Sequence, residues 1–92
     1  MVKIKRSGDF DAMLEDLCEK DEILRDLFKQ TIVWFKRNPD DTRINNHPLT
    51  KRMEGKWSFS ITEDIRIIYE WTSKTSVRFL IIGSHDTVYN KN

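Results

Sequence analysis

Two histidines, His47 and His85, stand 38 positions apart near the two ends of the chain's last third, with Arg66 between them and Tyr89 just beyond. An imidazole titrates near neutrality and can serve as a base or as an acid. A guanidinium stays charged and presents a planar fork of donors that suits a phosphate. A phenol ring can stack on an unpaired nucleobase. Two imidazoles, a guanidinium and a phenol are together sufficient to cut RNA without a metal. A lone surface histidine is usually inert, so the histidines carry weight as a pair. Sharing a stretch of sequence does not itself prove that the four groups converge.

Other chemistries fit this chain less well. Two distant histidines and scattered acids make no zinc pattern, and the single cysteine, Cys18, excludes both an internal disulfide and a cysteine-based zinc site. No metal and no cofactor is expected. Gly8, Gly55 and Gly83 are isolated, so there is no phosphate-cradling loop. Ser84, His85 and Asp86 contain the residue types of a hydrolase triad, but adjacent residues at a strand end point in different directions.

These groups need a scaffold, and the pattern supplies one. Val2 to Arg6 alternates as a short edge strand does. Ser7 or Asp9 can cap a helix whose face is Phe10, Met13, Leu14, Leu17 and Cys18. Asp21 can cap a second, with the stripe Leu24, Leu27, Phe28, Thr31, Ile32 and Phe35, ended before Pro39. Trp34 lies off that stripe and is a candidate partner contact. Residues 39–56 read as a long polar loop. From Trp57 the period becomes two: a strand to Ile61, a tight turn at Thr62-Glu63-Asp64, a second strand from Ile65 to Thr72, and a third, mostly apolar, from Val77 to Ile82. The expected fold is α+β in the order β-α-α-β-β-β, a helical hairpin packed on a mainly antiparallel four-stranded sheet.

At 92 residues the chain is expected to be one domain, residues 1–92, and ten aromatics provide for a core. There is no apolar run long enough for a membrane span and no signal-peptide pattern, so a cytoplasmic protein without a membrane partner is expected. The net charge is only +1, with nine Lys/Arg against ten Asp/Glu in residues 1–46 and seven against five in residues 47–92. Charge alone therefore does not announce a nucleic-acid binder. A local basic set is more suggestive: Arg43, Lys51, Arg52, Lys56 and Arg78 are the candidate RNA contacts, with a solvated basic loop as the plainer reading.

His47-Pro48-Leu49, Gly55-Lys56-Trp57-Ser58, Asp64-Ile65-Arg66-Ile67-Ile68-Tyr69 and Gly83-Ser84-His85 form a series that resembles the RelE superfamily, with the YafQ-like and YoeB-like branches nearest. Those proteins are toxins of toxin–antitoxin pairs, a class that includes plasmid-stabilisation systems. The resemblance implies a metal-independent endoribonuclease that cuts mRNA on the translating ribosome and is neutralised by an antitoxin. It implies that His47 is the general base, that His85 is the general acid, and that Arg66 holds the phosphate. Asp64 matches an acidic site residue of the YafQ-like branch, and Tyr89 falls where an aromatic residue stacks on the substrate.

The chain departs from the YafQ-like pattern at Ser60, where a second histidine is expected, and at Ile81, where an arginine is expected. Arg66 can replace that lost charge from the neighbouring strand. Two other functions remain open: a ParE-type toxin that binds gyrase without catalysis, and a degenerate toxin kept as a binding module. The histidine pair argues against the first. Ile81 and the low net charge lean toward the second.

Overall fold

The computed structural model describes residues 1–90, except the side chains of Thr87, Tyr89 and Asn90. A strand, β1 (Lys3–Arg6), leads into helices α1 (Gly8–Lys20) and α2 (Glu22–Arg37). Strands β2 (His47–Pro48), β3 (Trp57–Ser60), β4 (Ile65–Trp71) and β5 (Ser76–Ser84) follow, and then a short helix, α3 (His85–Asn90). The sheet order is β1-β5-β4-β3-β2. β1 runs parallel to β5, and the other pairs are antiparallel. The expected α+β architecture holds, with a fifth strand, β2, formed within the polar segment 39–56.

The helix boundaries follow from capping. The Ser7 hydroxyl accepts the N–H of Phe10 at 3.0 Å and starts α1. Asp21 is the whole connection between the helices: its N–H closes α1 on the Leu17 carbonyl, and its carboxylate accepts the N–H of Ile23 to open α2. Phe10, Leu14 and Cys18 of α1 and Leu24, Phe28, Thr31 and Phe35 of α2 are buried. Leu27, expected in that stripe, is 38% exposed, because it lies about 100° around the helix from Phe28.

Phe35 stacks on Phe59 with ring centroids 4.7 Å apart and meets Tyr69 edge-on at 5.1 Å. Offset and edge geometries of this kind suit the ring quadrupoles. Phe59, Ile67, Tyr69, Val77, Phe79 and Ile82 face the helices in this core. β5 changes face parity between Phe79 and Ile82 because its pairing with β4 steps from Phe79 to Ile81 and skips Leu80. That bulge sends Ile81 to the opposite side.

The opposite face carries a smaller apolar patch. Met53, Ile68 and Val88 are buried together there, with Leu49 and Ile81 packed against them. Residues 39–56 are thus not a structureless loop. The segment makes 3-10 turns at Thr42–Ile44 and Lys51–Met53 and contributes β2. Asp41 caps the first turn and Met53 anchors the second.

Candidate active site

Strand register places the candidate groups. His47 pairs with Ser58, Ser58 with Ile68, and Ile68 with Ile81. One row further on, Ser60 pairs with Arg66, and Arg66 with Gly83. Directly paired residues share a face, and so do residues two apart on one strand. His47, Ser60, Arg66 and Ile81 therefore share the face away from the helices. His85 begins two residues after Gly83, and α3 folds back over this face through Val88. His47 stands two strands, about 10 Å, from β4.

The His47 imidazole is oriented by its own turn. Asn45 adopts the left-handed conformation at φ 52°, which asparagine tolerates better than most residues. This brings its carbonyl to 3.0 Å from His47 Nδ1. A carbonyl only accepts, so Nδ1 carries the proton and the neutral ring keeps its lone pair on Nε2.

Arg66 is fixed from two sides. Nη1 donates to the Ser60 hydroxyl at 2.9 Å, and Nη2 donates to the Glu63 carbonyl at 3.3 Å. Nε is buried without a hydrogen-bond partner within the protein. Of five guanidinium N–H groups, three remain after these two bonds. Arg66 borders an open cavity of about 370 Å³ that Arg43, Asn45, Ser60 and Thr62 also line. Glu70, the acid four positions along β4 on the same face, pairs instead with Arg78 at 3.8 Å.

His85 is held through its backbone. Its N–H donates to the Asp64 carbonyl at 2.9 Å, which ties the start of α3 to the β3–β4 turn. Its side chain is 55% exposed, with Nδ1 3.7 Å from Asp86 Oδ1. Asp64 thus meets the site by its carbonyl. The residue borders a separate cavity on the α1 side, with Asp16, Lys20 and Ser84. Tyr89 falls within α3, but its side chain lies outside the described residues.

The basic candidates differ in what already holds them. Lys51 and Arg52 are exposed on the turn that Met53 anchors, and Lys56 is half-buried after it. Arg78 shares the site face and leans on Glu70. Arg43 is more committed: Nε and Nη2 both donate to Asp41, at 3.0 and 2.6 Å, and its guanidinium lies 4.0 Å over the Trp34 ring. Trp34, a candidate partner contact in the sequence, is engaged by Arg43 and packs on the core. Asn46 carried no signal beyond its place in a polar loop, yet it accepts a bond from Tyr69 at 2.7 Å. Among the described residues no three His, Cys, Asp or Glu side chains cluster as metal ligands. No described helix is long and apolar enough to cross a membrane.

Solved structures share this arrangement of strands and helices. YafQ from E. coli strain BL21(DE3) superposes with a TM-score of 0.78 at 21% identity, over 97% of this chain and 99% of that one. The fold is that of the RelE-type toxins. A YoeB/ParE toxin from Agrobacterium tumefaciens gives 0.76 at 22% identity, over 91% of this chain and 99% of its own. YafQ in the E. coli DinJ–YafQ toxin–antitoxin complex gives 0.69 at 21% identity, over 96% and 97%. The sequence itself matches no protein-family profile and no curated protein. The RelE-type likeness is therefore one of fold.

Proposed function

We propose that this protein is the toxin of a toxin–antitoxin pair and a metal-independent endoribonuclease acting on mRNA at the ribosome. The observation that carries the reading is the strand register. It sets His47, with Nε2 free to take a proton, on the same face as the doubly anchored Arg66, and α3 opens at His85, two residues past the register partner of Arg66.

In the reaction, His47 Nε2 takes the proton of a ribose 2′-OH as O2′ bonds to the adjacent phosphorus. Arg66 stabilises the charge that builds on the non-bridging oxygens. His85 gives a proton to the leaving O5′ as the P–O5′ bond breaks. The products are a 2′,3′-cyclic phosphate and a 5′-hydroxyl. Tyr89 stacks on a base beside the scissile bond. Asp64 serves by its carbonyl, as the anchor of His85.

Lys51, Arg52, Lys56 and Arg78 contact the RNA backbone, and Arg43 contributes least because Asp41 occupies it. With a net charge of +1, the protein relies on the ribosome to bring the message to it. The antitoxin covers the site face and the helices, where Ile23, Leu27 and Val33 are exposed on α2.

Induced expression of wild type, His85→Ala and Arg66→Ala tests this reading. Wild type alone is expected to arrest growth and cleave mRNA. Stalled DNA replication with intact mRNA would replace it with the gyrase-binding reading. Growth without arrest in all three would favour a degenerate binding module.

A further inference from the structure

We infer that Ser60 is a positioning residue for Arg66, a role that rests on the ribonuclease reading above. Ser60 and Arg66 are direct register partners on β3 and β4, so their side chains rise side by side from one face. The Ser60 hydroxyl accepts from Nη1 at 2.9 Å, while the Glu63 carbonyl accepts from Nη2 at 3.3 Å. A single anchor would leave the guanidinium free to swing about it. Two acceptors on different nitrogens fix its plane. One comes from the strand and the other from the turn, so the plane is set by the β3–β4 hairpin itself.

This anchoring matters more here than in a strongly basic protein. Ile81 occupies the next row of the same face and brings no charge. Arg66 must then meet the phosphate with the one N–H left on each of Nη1 and Nη2, because Nε is buried. Serine suits the task chemically. Its oxygen accepts in every protonation state of the site, whereas a protonated imidazole at that position could only donate. Its small size also leaves the cavity beside Arg66 open.

The test combines kinetics with a spectroscopic readout on the full chain. Single-turnover cleavage of a defined mRNA on ribosomes would be compared for wild type, Ser60→Ala, Ser60→Thr, Arg66→Ala and the Ser60→Ala/Arg66→Ala double variant. Ser60→Ala is expected to lower kcat roughly 10- to 100-fold with little change in KM, the scale of a misplaced catalytic group. Ser60→Thr keeps the hydroxyl and should retain most activity. In the Arg66→Ala background, Ser60→Ala should cost nothing more, because it acts through a group already absent.

Nitrogen NMR of the Arg66 guanidinium gives the activity-independent arm. Wild type and Ser60→Thr should show hindered rotation, and Ser60→Ala should lose it. Unhindered rotation in wild type, or hindrance that survives in Ser60→Ala, would overturn the inference whatever the kinetics. So would losses that multiply in the double variant. A wild-type protein that cuts no RNA yet shows the Ser60-dependent hindrance would sink the ribonuclease reading and leave the Ser60–Arg66 coupling standing.

Discussion

The phenol of Tyr69, fully buried among Phe35, Phe59 and Phe79, donates to Asn46 Oδ1 at 2.7 Å. This bond joins the central strand β4, which carries Arg66, to the segment that carries His47. Burial pushes the Tyr69 phenol above its ordinary value, only partly offset by the bond to Asn46, so the hydroxyl keeps its proton and remains a donor. The aromatic core on the helix side is thereby tied to the residue that precedes His47.

Removing that hydroxyl should loosen the His47 segment without collapsing the core. Tyr69→Phe is expected to lower stability by about 1 kcal/mol. Amide exchange should quicken around Asn46 and His47, and cleavage should slow. Exchange and melting temperature equal to those of wild type would show that the bond does not hold the segment.

Much of the scaffold was readable because its burial is periodic. Phe10, Leu14 and Cys18, and Leu24, Phe28 and Phe35, recur at helical spacing, and the caps Ser7 and Asp21 lie where side-chain chemistry demands them. Leu27 was misplaced because spacing alone does not say where the centre of the buried stripe lies. β2 and the turns around it escaped because two paired residues and single-turn helices leave no period. The bulge at Leu80 was hidden inside an unbroken apolar run, which looks the same on either face. His47, Arg66 and His85 could be chosen by residue type and resemblance. That His47 and Arg66 share a face depends on register, a long-range property that no local pattern encodes.

The guanidinium fork at Arg66 should not be replaceable by charge alone. Lysine is a point charge that cannot keep both the Ser60 and Glu63 bonds while offering a planar edge. Arg66→Lys should lose roughly 10²- to 10³-fold in kcat. Single-turnover rates would measure it, and near-wild-type activity would show that the site needs only a positive charge.

The two histidines should produce opposite limbs of a pH–rate profile. The base must be unprotonated, so activity rises with pH as His47 loses its proton. The acid must be protonated, so activity falls as His85 loses its own. His47→Ala should flatten the acidic limb, and His85→Ala the alkaline one. A profile whose limbs survive both substitutions would assign the proton transfers to other groups.

Arg43 should be traceable through Asp41. The side-chain bonds from Arg43, with a further bond from its backbone N–H, hold the Asp41 carboxyl down from 3.8 to about 2. A carboxyl lowered by folding adds stability that is complete above its ordinary value and is lost as pH falls through its folded one. The pair's contribution therefore disappears between roughly pH 4 and pH 2. Carbon NMR should find the Asp41 midpoint near 2 in wild type and in the ordinary carboxylate range in Arg43→Ala. A wild-type midpoint in the ordinary range would mean that Arg43 is not bound to Asp41 and is available to RNA.

The chemistry of the cut ends tests the central claim most directly. Message cleaved by the purified protein on ribosomes, and by purified protein treated with EDTA before it meets them, should carry a 2′,3′-cyclic phosphate on the upstream fragment and a 5′-hydroxyl on the downstream one. The Arg66→Ala and His85→Ala proteins should release neither at a comparable rate. A 3′-hydroxyl with a 5′-phosphate, or cleavage lost once the protein has been stripped of metal, would contradict attack by the 2′-OH under His47, Arg66 and His85.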